Sequence, residues 1–125
     1  LNGVAYGNST FVAVGQSGTI LTSTDGATWT SRTSGTSNYL YDVAFGNSTF
    51  VAVGASGTIL TSTDGATWSS RTSGTSNELR GIAFGNSTFV VVGASGTILT
   101  STNGTSWTTR TSGTTNALYG VTFGE

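Results

Sequence analysis

Leu1, Leu40, Leu79 and Leu118 open equivalent segments at a constant spacing of 39 residues. Three full copies occupy residues 1–39, 40–78 and 79–117, and residues 118–125 begin a fourth, its first strand only. The first and second copies differ at six positions, the second and third at eleven. Self-similarity at such a period marks a fold made from one supersecondary unit. Each unit cannot bury its apolar face alone and stacks on its neighbours to do so. Likeness this close suits a recently amplified or a designed repeat.

Each copy reads as four strands. In the first, residues 1–6 form a strand and Gly7-Asn8-Ser9-Thr10 a turn. Residues 11–14 follow, then the turn Gly15-Gln16-Ser17-Gly18, then a strand over 19–23. Asp25-Gly26 predicts a tight hairpin in which both central residues take positive φ, leading to a fourth strand over 28–33. Glycine supplies that conformation at little steric cost. No helical period is present. Short strands with regularly spaced turns mean a sandwich, barrel or propeller.

Val4-Ala5-Tyr6, Phe11-Val12-Ala13-Val14 and Ile20-Leu21 are nearly continuous apolar runs, as in strands covered on both faces. The fourth strand is polar after Trp29, and Arg32 sits where an edge charge discourages further pairing. Inner strands sandwiched and an outer strand wet is the gradient of a propeller blade. The expected fold is therefore all-β: four-stranded antiparallel propeller blades, three per chain. A β-trefoil, monomeric and also built from three four-stranded repeats, is the alternative.

The pattern Phe-Val-Ala-Val-Gly, then Gly-Thr-Ile-Leu-Thr-Ser-Thr-Asp-Gly, then Trp, resembles the blade repeats of photosystem II assembly and stability factors and of bacterial neuraminidases. Its most specific part is similar to the Asp-box, Ser-x-Asp-x-Gly-x-Thr-Trp. The first copy carries Ser23, Asp25, Gly26 and Trp29, one residue shorter between acid and Trp. The second carries Ser62, Asp64, Gly65 and Trp68, and the third Ser101, Asn103, Gly104 and Trp107, with Asn for the acid. The resemblance implies that the box closes the hairpin between the third and fourth strands, with Trp packed between blades. Its role is then structural.

Charged residues make up 7% of the chain and the net charge is −1, which excludes the clustered cations that nucleic-acid binding requires. No apolar run reaches the length of a membrane span. There is no Cys and no His, so no disulfide, no thiolate and no imidazole base or metal ligand. No metal site and no cofactor are expected. Calcium would need six to eight oxygens, and no loop concentrates acids. Asp25 and Asp64 are equivalent positions in separate blades, too far apart for the paired carboxylates of glycoside hydrolysis. Arg32, Arg71 and Arg110 share one outer-strand position and should not converge on a substrate carboxylate as the arginines of sialidases do. No catalytic residues are assigned, and the chain is expected not to be an enzyme. Asn8, Asn47, Asn86 and Asn103 match the glycosylation pattern, but recurrence in tight turns favours turn chemistry.

Three blades leave two open apolar faces, and closed propellers have about 4–8 blades. Head-to-tail association hides both faces. A homodimer of six blades is the expected closure, a homotrimer of nine the other. The extra segment 118–125 duplicates the first strand, so the two copies compete for one inner slot while the other frays or lies elsewhere. Changes in residue character between copies collect at Gln16, Tyr39, Tyr41, Asp42, Glu78, Arg80 and Tyr119. Antiparallel meandering puts these on one face of the ring, the candidate binding face, with Tyr and Arg as anchors. The functions that fit are a scaffold without an evolved ligand, or a glycan- or protein-binding, lectin-like module.

Overall fold

The computed structural model describes residues 1–124. The first repeat folds into β1 (Gly3–Gly7), β2 (Thr10–Val14), β3 (Ile20–Ser23) and β4 (Thr30–Arg32). The second gives β5 (Leu40–Gly46), β6 (Thr49–Gly54), β7 (Ile59–Ser62) and β8 (Ser69–Arg71). The third gives β9 (Leu79–Gly85), β10 (Thr88–Gly93), β11 (Ile98–Ser101) and β12 (Thr108–Arg110). Each repeat is a separate four-stranded antiparallel sheet in sequence order. No hydrogen-bonded strand ladder joins one repeat to another among the described residues, so the barrel of a trefoil is not formed.

Apolar side chains pack between the sheets. Val12, Val14 and Ile20 of the first sheet meet Leu40, Val43, Phe50 and Leu60 of the second in one cluster. Val51, Val53 and Ile59 of the second meet Leu79, Ile82, Phe89 and Leu99 of the third in another. The two clusters are the same junction repeated. Trp68 and Trp107 lie partly buried against them, so the Trp of each blade turns toward the preceding blade. Trp29, on the first of the three sheets, is exposed.

The strands nearest the junction come close together. Phe45 rests on Gly7, Phe84 on Gly46 and Phe123 on Gly85. A Cβ on Gly46 would lie within 2.5 Å of Phe84 Cγ, Cδ1 and Cδ2. These glycines end the inner strands and do not have positive φ. The turns that follow take positive φ at Asn8 (49°) and Ser9 (60°), and likewise at Asn47, Ser48, Asn86 and Ser87. Asn tolerates the left-handed region better than most residues, which explains its place there. The turn expected over Gly7-Asn8-Ser9-Thr10 is thus centred on Asn8 and Ser9, while Gly7 is required by the ring above it.

A difference from the sequence expectation concerns Asp25-Gly26. Only Gly26 has positive φ (80°), and the connection from β3 to β4 takes in residues 24–29. The fourth strand is shorter than expected, and Trp29 precedes it.

Residues 118–124 form no paired strand, yet they follow the path of an inner strand of a next blade. The Leu118 N–H donates to Gly93 O at 2.9 Å, as the Leu40 N–H does to Gly15 O at 3.0 Å. Phe123 then covers Gly85. The duplicated segment thus lies apart from β1, which pairs with β2 in its own blade. Glu125 lies outside the described residues.

Candidate functional site

The two ends of the sheets differ. At one end the β3–β4 connections meet the Asn-Ser turns of the preceding blade: Asn8 Nδ2 donates to Thr63 O at 3.4 Å and Asn47 Nδ2 to Thr102 O at 3.3 Å. At the other end the one-turn 3-10 helices Gln16–Gly18, Ala55–Gly57 and Ala94–Gly96 meet the connections between blades. There the Ala55 N–H donates to Tyr39 O and the Ala94 N–H to Glu78 O, both at 2.9 Å.

The β3–β4 connections are held by one repeated device. Ser23 Oγ donates to Asp25 Oδ1 at 2.9 Å and accepts from the Gly26 N–H at 2.7 Å. Asp25 Oδ1 also accepts from the N–H groups of Ala27 (2.9 Å) and Thr28 (3.0 Å). Trp29 Nε1 donates to Gly26 O at 3.2 Å. Ser62, Asp64, Gly65 and Trp68 repeat the arrangement. So do Ser101, Asn103, Gly104 and Trp107, with the Asn103 amide oxygen in the carboxylate's place. Hydrogen bonds to the ionised form hold Asp25 down to about pKa 2, the Thr28 N–H contributing most, then Ala27 and Ser23. Asp64 is lowered by the equivalent donors, Thr67 first.

At the connection end, the structure brings five of the seven variable residues into one cluster. Tyr39 and Tyr41 have ring centroids 6.3 Å apart. Arg80 lies over the Tyr41 ring, 4.4 Å from its centroid, and 5.5 Å from that of Tyr119. Glu78 pairs with Arg80 at 2.6 Å and accepts from Tyr41 Oη at 3.5 Å. The hydrogen bond to Glu78 raises the Arg80 pKa, keeping the guanidinium charged. The arrangement is an aromatic-flanked cation whose charge is balanced by its neighbour. It presents planar apolar faces with polar edges.

Asp42 is apart from this cluster in role. Its Oδ1 accepts from its neighbour's Val43 N–H at 2.9 Å and its Oδ2 from the Ile82 N–H of the next blade at 3.1 Å. Burial pushes its carboxyl pKa up despite these donors. It latches two inner strands where the equivalent Gly3 and Gly81 have no side chain. Gln16 is exposed on its turn and its carbonyl accepts from Thr19, without a side-chain bond to the cluster.

Sequence reasoning passed over one feature of the outer strands. Arg32, Arg71 and Arg110 do lie on separate blades. Each guanidinium Nε donates to a Thr Oγ1 ten residues earlier, Thr22, Thr61 and Thr100, at 2.9 Å. The signal was present as a Thr on β3 beside the strand that carries the arginine. Among the described residues no three His, Cys, Asp or Glu side chains gather as a metal site. No helix there is long and apolar enough to cross a membrane.

Separate four-stranded antiparallel sheets, stacked face to face and meandering outward, define the class: the chain has the β-propeller fold and contributes three blades. Two solved structures of YCF48, a photosystem II assembly factor, share it. YCF48 bound to D1 peptide has 21% identity and a TM-score of 0.68, over 98% of this chain and 42% of that one. YCF48 from Cyanidioschyzon merolae has 24% identity and a TM-score of 0.74, over 91% of this chain and 40% of that one. At such identities the likeness carries the fold. The chain spans about two fifths of the length of these structures. No family model matches the sequence, and no curated protein matches it.

Proposed function

We propose that the chain is a non-enzymatic propeller scaffold that closes its ring with further copies of itself and holds a peptide segment of another protein on its connection face. One observation carries the reading: its two open faces are the two halves of a junction already buried twice within the chain. Val4, 62% exposed on the first blade, corresponds to Val43, 4% exposed in the first junction. Tyr6 and Trp29 correspond likewise to Phe45 and Trp68. On the third blade, Val90 and Ile98 are half-buried where Val12 and Ile20 are fully buried. A second copy offers the missing half to each.

Six blades fall within the usual range of closed propellers, so a dimer is favoured over a nine-bladed trimer. The recurring Ser-Asp-Gly turns are read as Asp-boxes in a structural role. The near-identity of the copies suits a repeat array of recent or designed origin. The YCF48 structure with a D1 peptide supports a peptide as the bound class, and the Tyr39, Tyr41, Arg80 and Tyr119 cluster supplies the anchors. A glycan-binding module is the second reading, favoured by the hydroxyl-rich surface beside Arg32, Arg71 and Arg110.

Light scattering on a sizing column tests the assembly. Two or three times the chain mass of 12.6 kDa is expected. A monomer at micromolar concentration refutes ring closure.

A further inference from the structure

The outer rim repeats one polar pocket at each blade junction. Between the first and second blades, a cavity of about 220 Å³ is lined by Thr22, Asp25, Thr30 and Arg32 of one blade and Asp64 of the next. Between the second and third, a cavity of about 310 Å³ is lined by Thr61, Asp64, Ser69 and Arg71 together with Asn103 and Thr105. The third blade carries the same pocket, about 310 Å³ with Thr100, Asn103, Thr108 and Arg110, without a following blade to complete it.

The donors and acceptors are fixed in advance. Each guanidinium is oriented by its Nε–H bond to Thr. Its terminal N–H groups have no protein acceptor among the described residues, where the one ion pair is Arg80 with Glu78. Asp25 and Asp64 spend Oδ1 on the turn, and Oδ2 accepts no bond there. Threonine and serine hydroxyls around them both donate and accept. The lining charges are mixed: Arg71 shares the second pocket with Asp64 and the neutral Asn103, for no net charge, and Arg32 shares the first with Asp25 and Asp64, with one negative charge in excess. An anion would meet the carboxylates and a cation the guanidinium.

A neutral ligand whose adjacent hydroxyls each donate and accept satisfies all of these groups at once. The volumes lie at or just below the lower end of small-molecule pockets, suited to one sugar ring at a time. We infer that the blade junctions of the rim are saccharide sites, each taking a neutral sugar unit through its arginine, the free carboxylate oxygens that share the pocket and the flanking hydroxyls. Regular repetition fits an oligosaccharide or polysaccharide engaged at several junctions, where avidity raises weak single-site binding. The first two sites lie within one chain and do not depend on the proposed ring. Only the third does: there Asp25 of a second copy would stand where Asp64 stands in the first.

The test is a titration of the full chain, labelled with ¹⁵N, with glucose, galactose and mannose and their linear oligomers at high millimolar concentration. Resonances of Arg32 Nε, Arg71 Nε and the amides of residues 24–30 and 63–69 should move with at least one sugar series. Arg71→Ala should weaken binding at the second pocket by about tenfold or more while the first still responds, which also shows that the variant is folded. No movement with any sugar overturns the inference. So do shifts at the second pocket that survive Arg71→Ala, or shifts centred on Tyr41 and Arg80. A monomeric chain that binds at the first two pockets upholds the sites and refutes the ring.

Discussion

Gly46→Ala should destabilise the junction of the second and third blades by about 2 kcal/mol. Three ring carbons of Phe84 would lie within 2.5 Å of the new Cβ, whereas apolar carbons settle at about 3.5–4.0 Å. The ring must therefore retreat by about 1 Å or more. It has little room, because Phe84 packs against Phe89 with centroids 4.7 Å apart, and Phe89 is fully buried. Overpacking of this kind costs about 1–3 kcal/mol, and this site belongs near the top of that range. Restricting the unfolded chain returns about 0.5 kcal/mol. Urea denaturation at fixed protein concentration measures the difference, read as a lower midpoint at unchanged slope. Phe84→Leu should relieve much of the penalty, giving a coupling of about 1 kcal/mol between the two positions. Gly85→Ala, beneath the half-exposed Phe123 of the terminal segment, should cost less. A Gly46→Ala chain as stable as the parent, or an undiminished cost in the Phe84→Leu background, refutes the steric account.

Asp25 is more acidic in the fold than unfolded, so its contribution is present above about pH 4 and lost as pH falls toward 2; Asp64, lowered by the same kind of donors, acts in the same sense. Asn103 shows that an amide oxygen holds the same turn, so Asp25→Asn with Asp64→Asn should flatten acid unfolding monitored by circular dichroism; an equally steep loss contradicts this. Asp42, raised by burial, acts in the opposite sense and is common to both proteins, so it cancels in the comparison. Acrylamide should quench Trp29 no more than Trp68 or Trp107 once the ring is closed, measured on variants that retain one Trp each. Selective quenching of Trp29 in the assembled protein would place it outside the seam. Peptides selected on the chain from a random library should bind at least tenfold more weakly to the Tyr41→Ala, Arg80→Ala double variant, by titration calorimetry. Unchanged affinity removes the connection face as their site.

The architecture was legible because the repeat, the apolar runs and the polar outer strand all point to one blade. Turn chemistry was read less well. Gly7-Asn8-Ser9-Thr10 reads as a turn without showing which residue takes the special backbone. The structure assigns it to Asn8 and Ser9, since the neighbouring blade's Phe45 claims the space above Gly7. That neighbour is 38 residues away, beyond any local signal. Asp25-Gly26 likewise reads as a two-residue hairpin until the Ser23 and Asp25 side chains are seen to organise a longer connection. At the connection face, comparison of copies found Tyr39, Tyr41, Glu78, Arg80 and Tyr119, which do meet. It could not separate them from Asp42, which serves the backbone of the next blade. The rim pockets were missed because their arginines recur at one position in every copy and the other lining changes, such as Asp to Asn103 and Thr to Ser69, are conservative, whereas changes of character were the signal used.

The path of residues 118–124 has a consequence for exchange between copies. The Leu118 N–H is already bonded to the third blade, and Phe123 already covers Gly85. In the proposed ring, an incoming chain would find the inner berth of its first blade occupied by a segment of the same sequence type as its own β1. Seams could then open and reseal by strand invasion, one inner strand displacing the other, without any blade losing its remaining three strands. Such a ring would trade subunits faster than its buried area suggests, and shortening the chain before Leu118 would slow the trade.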